Sequence, residues 1–318
     1  MSNRIAYFDL AKGICIILVV LFHFQELYGI SLPTDKYFDI IRMPLYFFLS
    51  GYFFKTYEGF LFFLRKKTDR LLIPFFFFYL TTSVILPIIA IHTLGINFNT
   101  GSEWSNLYAF LTYSTFPNYP LWFLWALMTV NVIFFLIVQL CKRSYIAIGI
   151  ICLLFTILLG KFSNLRLPAS LNMAFDGLWF FYLGYLAKNF THNNVILKKR
   201  FTNTTLITLF IFIYILLGAV SSKQINLLTL QRYIGGACGI LTLLHICKNI
   251  NYIPYISYIG RYSIILLVTH EPLIRLLSMA NLPSHFAIPI LFASYSIIIP
   301  LMIKYMPHVT AQKEIFSR

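Results

Sequence analysis

Charged residues are scarce in this sequence. Only 11% of the 318 residues are Asp, Glu, Lys or Arg, and just ten of them are acidic. Soluble domains are about one-quarter charged, so this chain has too few charges to cover a water-facing surface. The shortage excludes a soluble globular enzyme and a disordered chain. The 59% share of hydrophobic residues indicates a protein that lies in the lipid bilayer.

Closely spaced cysteines are also lacking. The five cysteines form no Cys-x-x-Cys pair, and most of them lie inside apolar runs or at their ends. This pattern excludes a disulfide-rich secreted module and gives no reason to expect a metal site. We interpret the cysteines as small hydrophobic residues.

Long apolar stretches are what the sequence has instead. Ten of them approach or exceed the roughly 20 residues that a helix needs to cross a bilayer. Their apolar residues are continuous rather than alternating, which disfavours a transmembrane β-barrel. We therefore predict an all-α fold, a polytopic membrane helical bundle of about ten transmembrane helices that forms a single domain over residues 1–318. The predicted spans are 12–30, 38–55, 71–94, 119–140, 145–161, 171–188, 203–221, 226–247, 255–276 and 285–306.

The basic residues indicate an orientation rather than a nucleic-acid surface. If the N-terminus is inside, 18 of the 25 Lys and Arg residues fall on the cytoplasmic side and five on the outer side. Cytoplasmic loops of membrane proteins are enriched in Lys and Arg. The sequence thus predicts a multi-pass protein of the cell membrane (the cytoplasmic or inner membrane), with both termini in the cytoplasm.

The first predicted span carries two groups that are candidates for function, because ionisable side chains are costly inside a bilayer. His23 lies eleven residues after Lys12, which is about three helical turns and about 16 Å along the axis. Both side chains therefore point the same way, one at the cytoplasmic mouth and one deep in the membrane. Glu26 is close enough to orient the imidazole. The alternative for His23 is a hydrogen bond within a helix interface.

Further polar groups fall in the outer half of the predicted bundle, where they could line a hydrated cavity. Asp39 and Arg42 are spaced i,i+3 and could pair. Alternatively, several of these side chains reach into the headgroup region. We favour that alternative for Glu26, Asp39 and Glu271. The other members of the group are Asp176, Arg232, His270 and, at the start of the fourth span, Trp122.

The segment from Arg65 to Arg70 reads Arg-Lys-Lys-Thr-Asp-Arg and directly precedes the third span. Such a segment is typical of cytoplasmic loops and of contact with anionic lipids. A phosphate site at the inner mouth is the alternative, and the sequence favours neither.

Six short motifs occur in a characteristic order. The first is Phe8-Asp9-Leu10-Ala11-Lys12-Gly13, with ten residues between Lys12 and His23. The others are Met43-Pro44-Leu45-Tyr46-Phe47-Phe48-Leu49-Ser50-Gly51-Tyr52, Arg70-Leu71-Leu72-Ile73-Pro74, Leu121-Trp122-Phe123-Leu124, Phe181-Tyr182-Leu183-Gly184-Tyr185 and Thr269-His270-Glu271-Pro272. Together they resemble acyltransferase family 3, the integral membrane O-acyltransferases of cell-surface sugars. Two positions depart from the pattern, because Lys12 stands where Arg is usual and Arg42 where the sugar O-acetylase branch has His.

The resemblance covers most of the chain and implies an enzyme. It implies that an acyl group, acetyl in the sugar O-acetylase branch, moves from cytoplasmic acyl-CoA to a hydroxyl of an extracytoplasmic or lipid-linked surface glycan. Acetyl-CoA or another acyl-CoA would be a donor substrate, and no permanently bound cofactor is implied. The implied partners are acyl-CoA, a surface polysaccharide or lipid-linked glycan, and the bilayer, with no nucleic acid.

The resemblance also implies catalytic roles. His23 would act as general base on the sugar hydroxyl or would accept the acyl group covalently. Asp9 lies three residues before Lys12 and would orient it, and Arg42 would stabilise the developing oxyanion. The implied catalytic residues are therefore Asp9, Lys12, His23 and Arg42.

Donor and acceptor contacts follow from the same resemblance. Lys12, Arg65 and Arg70 would hold the nucleotide phosphates of the donor through charge-assisted contacts. The acceptor would contact Trp122, Glu26 and His270. An interfacial anchor is an equally good interpretation of Trp122.

Two other functions are compatible with the sequence. Polar groups at mid-membrane and proton-capable His and Glu residues also suit a multi-pass transporter or flippase for a glycan or small solute. Such carriers often show paired repeats, and we find none in this sequence. The other alternative is a sensor or scaffold with a degenerate acyltransferase fold, which the departures at positions 12 and 42 would fit.

Overall fold

The structure is a computed structural model that describes residues 5–30, 35–86, 88–89, 92, 118–142, 144–160, 167, 171–193, 210–211, 213, 225–313 and 315. Within these ranges every regular element is helical and no strand occurs, which confirms the all-α prediction. Short π-helical turns at Thr68–Leu72 and Thr81–Ile85 flank the fourth helix, and a 3-10 turn at Tyr119–Leu121 precedes the fifth. The α-helices are α1 (Ala6–Tyr28), α2 (Asp35–Tyr52), α3 (Phe60–Lys67), α4 (Ile73–Leu80), α5 (Trp122–Leu140), α6 (Tyr145–Leu159), α7 (Leu171–Asn193), α8 (Ile225–Ile250), α9 (Pro254–Arg261), α10 (Ser263–Met279) and α11 (Ser284–Tyr305).

Several of these helices can cross a membrane by length and composition. Four qualify among the described residues: α1, α5 with its 3-10 turn, the Arg232–Ile250 part of α8, and α11. Counting α9 and α10 as one broken span gives a fifth. Of the ten predicted spans, 203–221 lies outside the described residues apart from 210–211 and 213. The count of ten spans and the cytoplasmic placement of both termini stay predictions.

The predicted span 255–276 is not one continuous helix: it consists of α9 and α10, and their crossing of the membrane as one span stays a prediction. α9 and α10 are bent by 89° at a break, where Tyr262 leaves the helical conformation with φ −112° and ψ 27°. An apolar composition predicts that a segment lies in lipid, but it carries no information about the backbone direction within that segment.

The chain divides into two compact units. The first unit comprises Met1–Phe54, Tyr145–Leu153 and Leu178–Ser263, and the second comprises Lys55–Ser144, Leu154–Gly177 and Ile264–Arg318. Each unit is assembled from three stretches of chain, so neither is continuous in sequence. The single domain over 1–318 stays a prediction.

In the first unit, α1 packs against α2, α8 and α9. Its contact with α9 depends on two glycines that face the opposite backbone. A Cβ atom on Gly13 would collide with the carbonyl oxygen of Ile256, and one on Gly260 would collide with that of Asp9. The two helices therefore touch through their backbones at the turn of α1 that contains Asp9 and Lys12.

A second reciprocal contact joins α2 and α7 in the same unit. A Cβ atom on Gly51 would collide with the carbonyl oxygen of Phe181, and one on Gly184 would collide with that of Phe48. All four residues belong to motifs that the sequence singled out. These two motifs are thus explained by helix packing, because only glycine allows so close an approach.

In the second unit, aromatic rings join the basic segment to α5. Phe63 of α3 is fully buried, and its ring centroid lies 4.7 Å from that of Phe135. Phe75 of α4 is also fully buried, with its centroid 5.5 Å from that of Trp125. The turn between α3 and α4, which carries Arg70, is held at both ends by this packing.

Candidate active site

Near its start, α1 carries a carboxylate and an ammonium group one turn apart. The Nζ of Lys12 lies 3.9 Å from Oδ1 of Asp9 and 5.7 Å from the centroid of the Phe53 ring. The Tyr46 hydroxyl of α2 donates a hydrogen bond to the Lys12 carbonyl oxygen at 2.9 Å. The Lys12 side chain keeps 28% of its surface exposed, whereas Asp9 is buried. The ammonium group is therefore oriented by the protein and still accessible to an anionic ligand.

Three turns further along α1, an imidazole pairs with a carboxylate. Nδ1 of His23 lies 3.0 Å from Oε2 of Glu26. His23 is buried, whereas the Glu26 side chain is 55% exposed. A carboxylate that accepts a hydrogen bond from Nδ1–H fixes the tautomer in which Nε2 carries the lone pair. This geometry suits a general base or a nucleophile that acts through Nε2.

The buried guanidinium of Arg42 packs on the ring of Phe22, the residue before His23. The guanidinium carbon of Arg42 lies 4.2 Å from the centroid of the Phe22 ring, and its Nη2 donates to Oδ1 of Asp39 at 3.2 Å. The other oxygen of Asp39 lies 3.6 Å from Nη1 of Arg232 on α8. One carboxylate thus bridges two helices. The sequence indicated the Asp39–Arg42 pair by spacing but missed the link to Arg232.

The basic segment of the second unit exposes its two arginines. Arg65 and Arg70 are exposed, whereas Asp69 between them is buried. Burial and the neighbouring Arg70 guanidinium lower the pKa of Lys67 to about 7. An amine with such a pKa is only partly charged at neutral pH, whereas guanidinium groups stay charged. The two arginines are therefore the stronger candidates for a phosphate contact in this segment.

Two predicted acceptor residues also lie in the second unit. Trp122 is half-buried at the first residue of α5. His270 is fully buried, and its Nδ1 lies 2.7 Å from the carbonyl oxygen of Leu266 in its own helix. Its contact with an acceptor stays a prediction, because the imidazole exposes no surface in this structure.

Glu271 differs from its sequence-based interpretation as a headgroup-facing residue. It is only 4% exposed, and its Oε1 accepts hydrogen bonds from Nε and Nη2 of Arg275 at 3.2 and 2.6 Å. Its Oε2 accepts from the backbone N–H of Tyr119 at 2.8 Å. The carboxylate is buried because three donors within the protein replace its hydration.

The sequence-predicted residues thus fall into two groups. The first unit brings together the two pairs on α1 and the guanidinium on α2, namely Asp9, Lys12, His23, Glu26 and Arg42. The second unit holds Arg65, Arg70, Trp122 and His270. The sequence missed the contacts of Tyr46 with Lys12 and of Arg232 with Asp39, because helix packing, not sequence spacing, brings these residues together.

A family model described as an acyltransferase domain matches residues 5–304, which is nearly the whole chain. The chain belongs to acyltransferase family 3. Membership in acyltransferase family 3, together with the apolar helices, makes this a multi-pass membrane protein with an acyltransferase domain. No curated protein and no solved structure matches the chain. The sugar O-acetylase branch stays a prediction.

Proposed function

We propose that this protein is a membrane O-acyltransferase that moves an acyl group, acetyl in the simplest case, from cytoplasmic acyl-CoA to a hydroxyl of an extracytoplasmic or lipid-linked surface glycan. Family membership supports acyl transfer. One observation supports the rest of the proposal: α1 is a candidate membrane span that carries an oriented ammonium group near its start and an oriented imidazole three turns later.

On the donor side, Lys12 contacts the phosphates of acyl-CoA through charge-assisted hydrogen bonds. The separation of Lys12 and His23 along α1 is about 16 Å, which is of the order of an extended pantetheine arm. The thioester then reaches the imidazole while the nucleotide stays at the cytoplasmic mouth. Arg65 and Arg70 are further proposed phosphate contacts, because they are exposed and permanently charged.

At the reacting centre, Nε2 of His23 takes the proton of the acceptor hydroxyl while the hydroxyl oxygen attacks the thioester carbonyl carbon. Arg42 stabilises the oxyanion that forms. Its collapse breaks the carbon–sulfur bond, and the leaving CoA thiolate takes the proton from the imidazolium. In the covalent variant of this mechanism, Nε2 attacks the thioester carbonyl first and CoA leaves as a thiolate. The acceptor hydroxyl then attacks the acyl-imidazole, its proton goes to the CoA thiolate, and the neutral imidazole is released.

On the acceptor side, the Trp122 ring provides an apolar face for a sugar ring. Glu26 and His270 are proposed as polar contacts of the acceptor, and Glu26 also orients the imidazole.

The proposal is tested with membranes that contain the protein, labelled acetyl-CoA and the cell's own surface glycan. Wild-type membranes should transfer label into an alkali-labile ester. His23→Ala should lower this transfer at least about 100-fold, which is typical for loss of a general base. His245→Ala is the matched control, because this histidine contacts only an exposed Asn249 on α8 in the described contacts. Absence of labelled ester with wild-type protein would favour the transporter, and full activity of His23→Ala would remove the catalytic role of His23.

A further inference from the structure

The start of α5 is tied to α10 at a position where a proline interrupts the hydrogen bonds of α10. Pro272 has no N–H group, so the carbonyl oxygen of Val268, four residues earlier, has no helical donor. Nδ2 of Asn118 donates to this oxygen at 3.0 Å. Asn118 is only 2% exposed, and Nδ2 also donates to Oγ1 of Thr82 at 3.0 Å. Asn118 therefore supplies the donor that the proline removes.

Glu271, the residue before Pro272 in α10, makes a second hydrogen bond to the start of α5. The backbone N–H of Tyr119 is the first of the 3-10 turn that leads into α5, and the side chain of the preceding Asn118 does not cap it. The buried Glu271 carboxylate accepts this N–H at 2.8 Å, and Arg275 holds the carboxylate from the other side. A negative charge at a helix start is also favoured by the helix dipole. Glu271 thus acts as the cap of α5 from another helix.

These two hydrogen bonds hold the chain about one turn before Trp122. Asn118 and Tyr119 are the residues that α10 holds, and Trp122 is the first residue of α5. The hydrogen bonds of α5 begin within the 3-10 turn, so the direction of the first helical turn depends on where this turn is fixed. Asn118 and Glu271 therefore fix the backbone from which the Trp122 side chain projects.

We propose that Asn118 and Glu271 are positioning residues that hold Trp122 in place for the acceptor. The role of Trp122 in acceptor binding belongs to the proposed function, on which this inference rests. The motif Leu-Trp-Phe-Leu and the motif Thr-His-Glu-Pro, which are distant in sequence, then act together. Glu271 provides one hydrogen-bond acceptor, and Pro272 leaves the Val268 carbonyl oxygen as a second. Donors from Asn118 and Tyr119, just before Trp122, bind to both.

The first test follows the Trp122 ring directly and needs no catalytic activity. In a chain with Trp104→Phe, Trp125→Phe and Trp179→Phe, Trp122 is the single tryptophan. Glu271→Ala should change the emission maximum and the acrylamide quenching of this residue in detergent micelles. Glu271→Gln keeps a carbonyl oxygen for the Tyr119 N–H and should change them less. Ser278→Ala on the same helix is the control. Unchanged fluorescence in folded Glu271→Ala protein would overturn the inference.

The second test uses the acceptor kinetics of the intact enzyme. Glu271→Ala should raise the KM for the acceptor roughly tenfold, as expected for the loss of a hydrogen bond to a charged group, and leave the KM for acyl-CoA within about twofold. Glu271→Gln should recover part of this loss. An unchanged acceptor KM, or equal effects on both substrates, would contradict positioning of the acceptor. If wild-type protein transfers no acyl group, the proposed function fails, and the fluorescence still decides whether Glu271 positions the ring.

A double-mutant cycle tests the role of Asn118. Pro272→Ala restores an N–H that can donate to the Val268 carbonyl, so this oxygen no longer needs Asn118. When Pro272 is present, Asn118→Ala should therefore change the quenching of Trp122 and raise the KM for the acceptor. In the Pro272→Ala background, both effects of Asn118→Ala should be several-fold smaller. Equal effects in both backgrounds would show that the hydrogen bond to Val268 does not position the ring. The cycle also gives a decision if Glu271→Ala does not fold.

Discussion

Lys12 occupies the position at which the pattern of acyltransferase family 3 has arginine. Lysine keeps the charge but loses the planar guanidinium that can bind two phosphate oxygens at once. Here the ammonium group is oriented by the Asp9 carboxylate on one side and the Phe53 ring on the other. These two contacts hold the ammonium group near the start of α1.

Substitution of Lys12 should therefore affect the donor more than the acceptor. Lys12→Ala should raise the KM for acyl-CoA at least about tenfold, because a charge-assisted hydrogen bond is worth about 1.5–3 kcal/mol. Lys12→Arg should restore most of the activity. Lys248→Ala serves as the control, because this residue is exposed at the end of α8. The measurement is initial rate against acyl-CoA concentration, and an unchanged donor KM in Lys12→Ala would remove the phosphate role.

Residue pairs within one helix could be predicted from sequence, whereas pairs between helices could not. Spacing of three residues indicated the contacts of Lys12 with Asp9, His23 with Glu26, and Arg42 with Asp39, and all three occur in the structure. Such spacing is a property of the helix itself. The bridge from Asp39 to Arg232 and the burial of Glu271 depend on which helices pack together, and no local pattern encodes that choice.

At the scale of helices, glycine decides how closely α1 and α9 approach. The obstacle to a larger residue at position 260 is the backbone of Asp9 rather than the far end of a flexible side chain. The contact lies beside the turn that carries Lys12, so displacement of α9 would also move the proposed donor site. Stability and donor use are therefore linked at this crossing.

Gly260→Ala should lower the thermal stability of the purified protein and raise the KM for acyl-CoA. Overpacking typically costs about 1–3 kcal/mol, and here the rigid backbone cannot move aside locally. Gly29→Ala is the matched control, because among the described residues no atom that is not its chain neighbour lies within 4 Å of its added Cβ, and its φ of +65° adds strain. A left-handed residue costs roughly 1–2 kcal/mol. If Gly29→Ala affects donor use as much as Gly260→Ala, the close contact has no specific role.

Helix positions could be predicted from the sequence, but helix directions could not. Apolar runs predicted helical segments at α1, α5, α8 and α11, because lipid requires every backbone polar group to be satisfied within a helix. The break at Tyr262 interrupts the stretch 255–276 that was predicted as one span. Hydropathy measures how well a segment suits lipid on average, and it does not report the direction of the backbone within that segment.

At the scale of the whole molecule, composition and motif order predict the class of protein and its family. Scarce charge identified a membrane protein, and the order of six motifs identified the family that the match over residues 5–304 shows. The two units could not be predicted, because each combines stretches that are distant in sequence. The proposed reaction needs a donor from one side and an acceptor from the other, so the orientation of the chain is the quantity that decides it.

The structure offers a native probe for this orientation. Cys141, between α5 and α6, is partly exposed, whereas the other four cysteines are buried. The uneven distribution of Lys and Arg predicts that this loop is cytoplasmic and that Asn281, between α10 and α11, is outside. A membrane-impermeant maleimide should therefore label Asn281→Cys in intact cells and Cys141 only after permeabilisation, with Cys141→Ser as the background for the first measurement. The reverse pattern would place Lys12 away from cytoplasmic acyl-CoA. Because the ammonium group and the imidazole are about 16 Å apart on one helix, inverting that helix would also exchange the sides on which donor and acceptor must arrive.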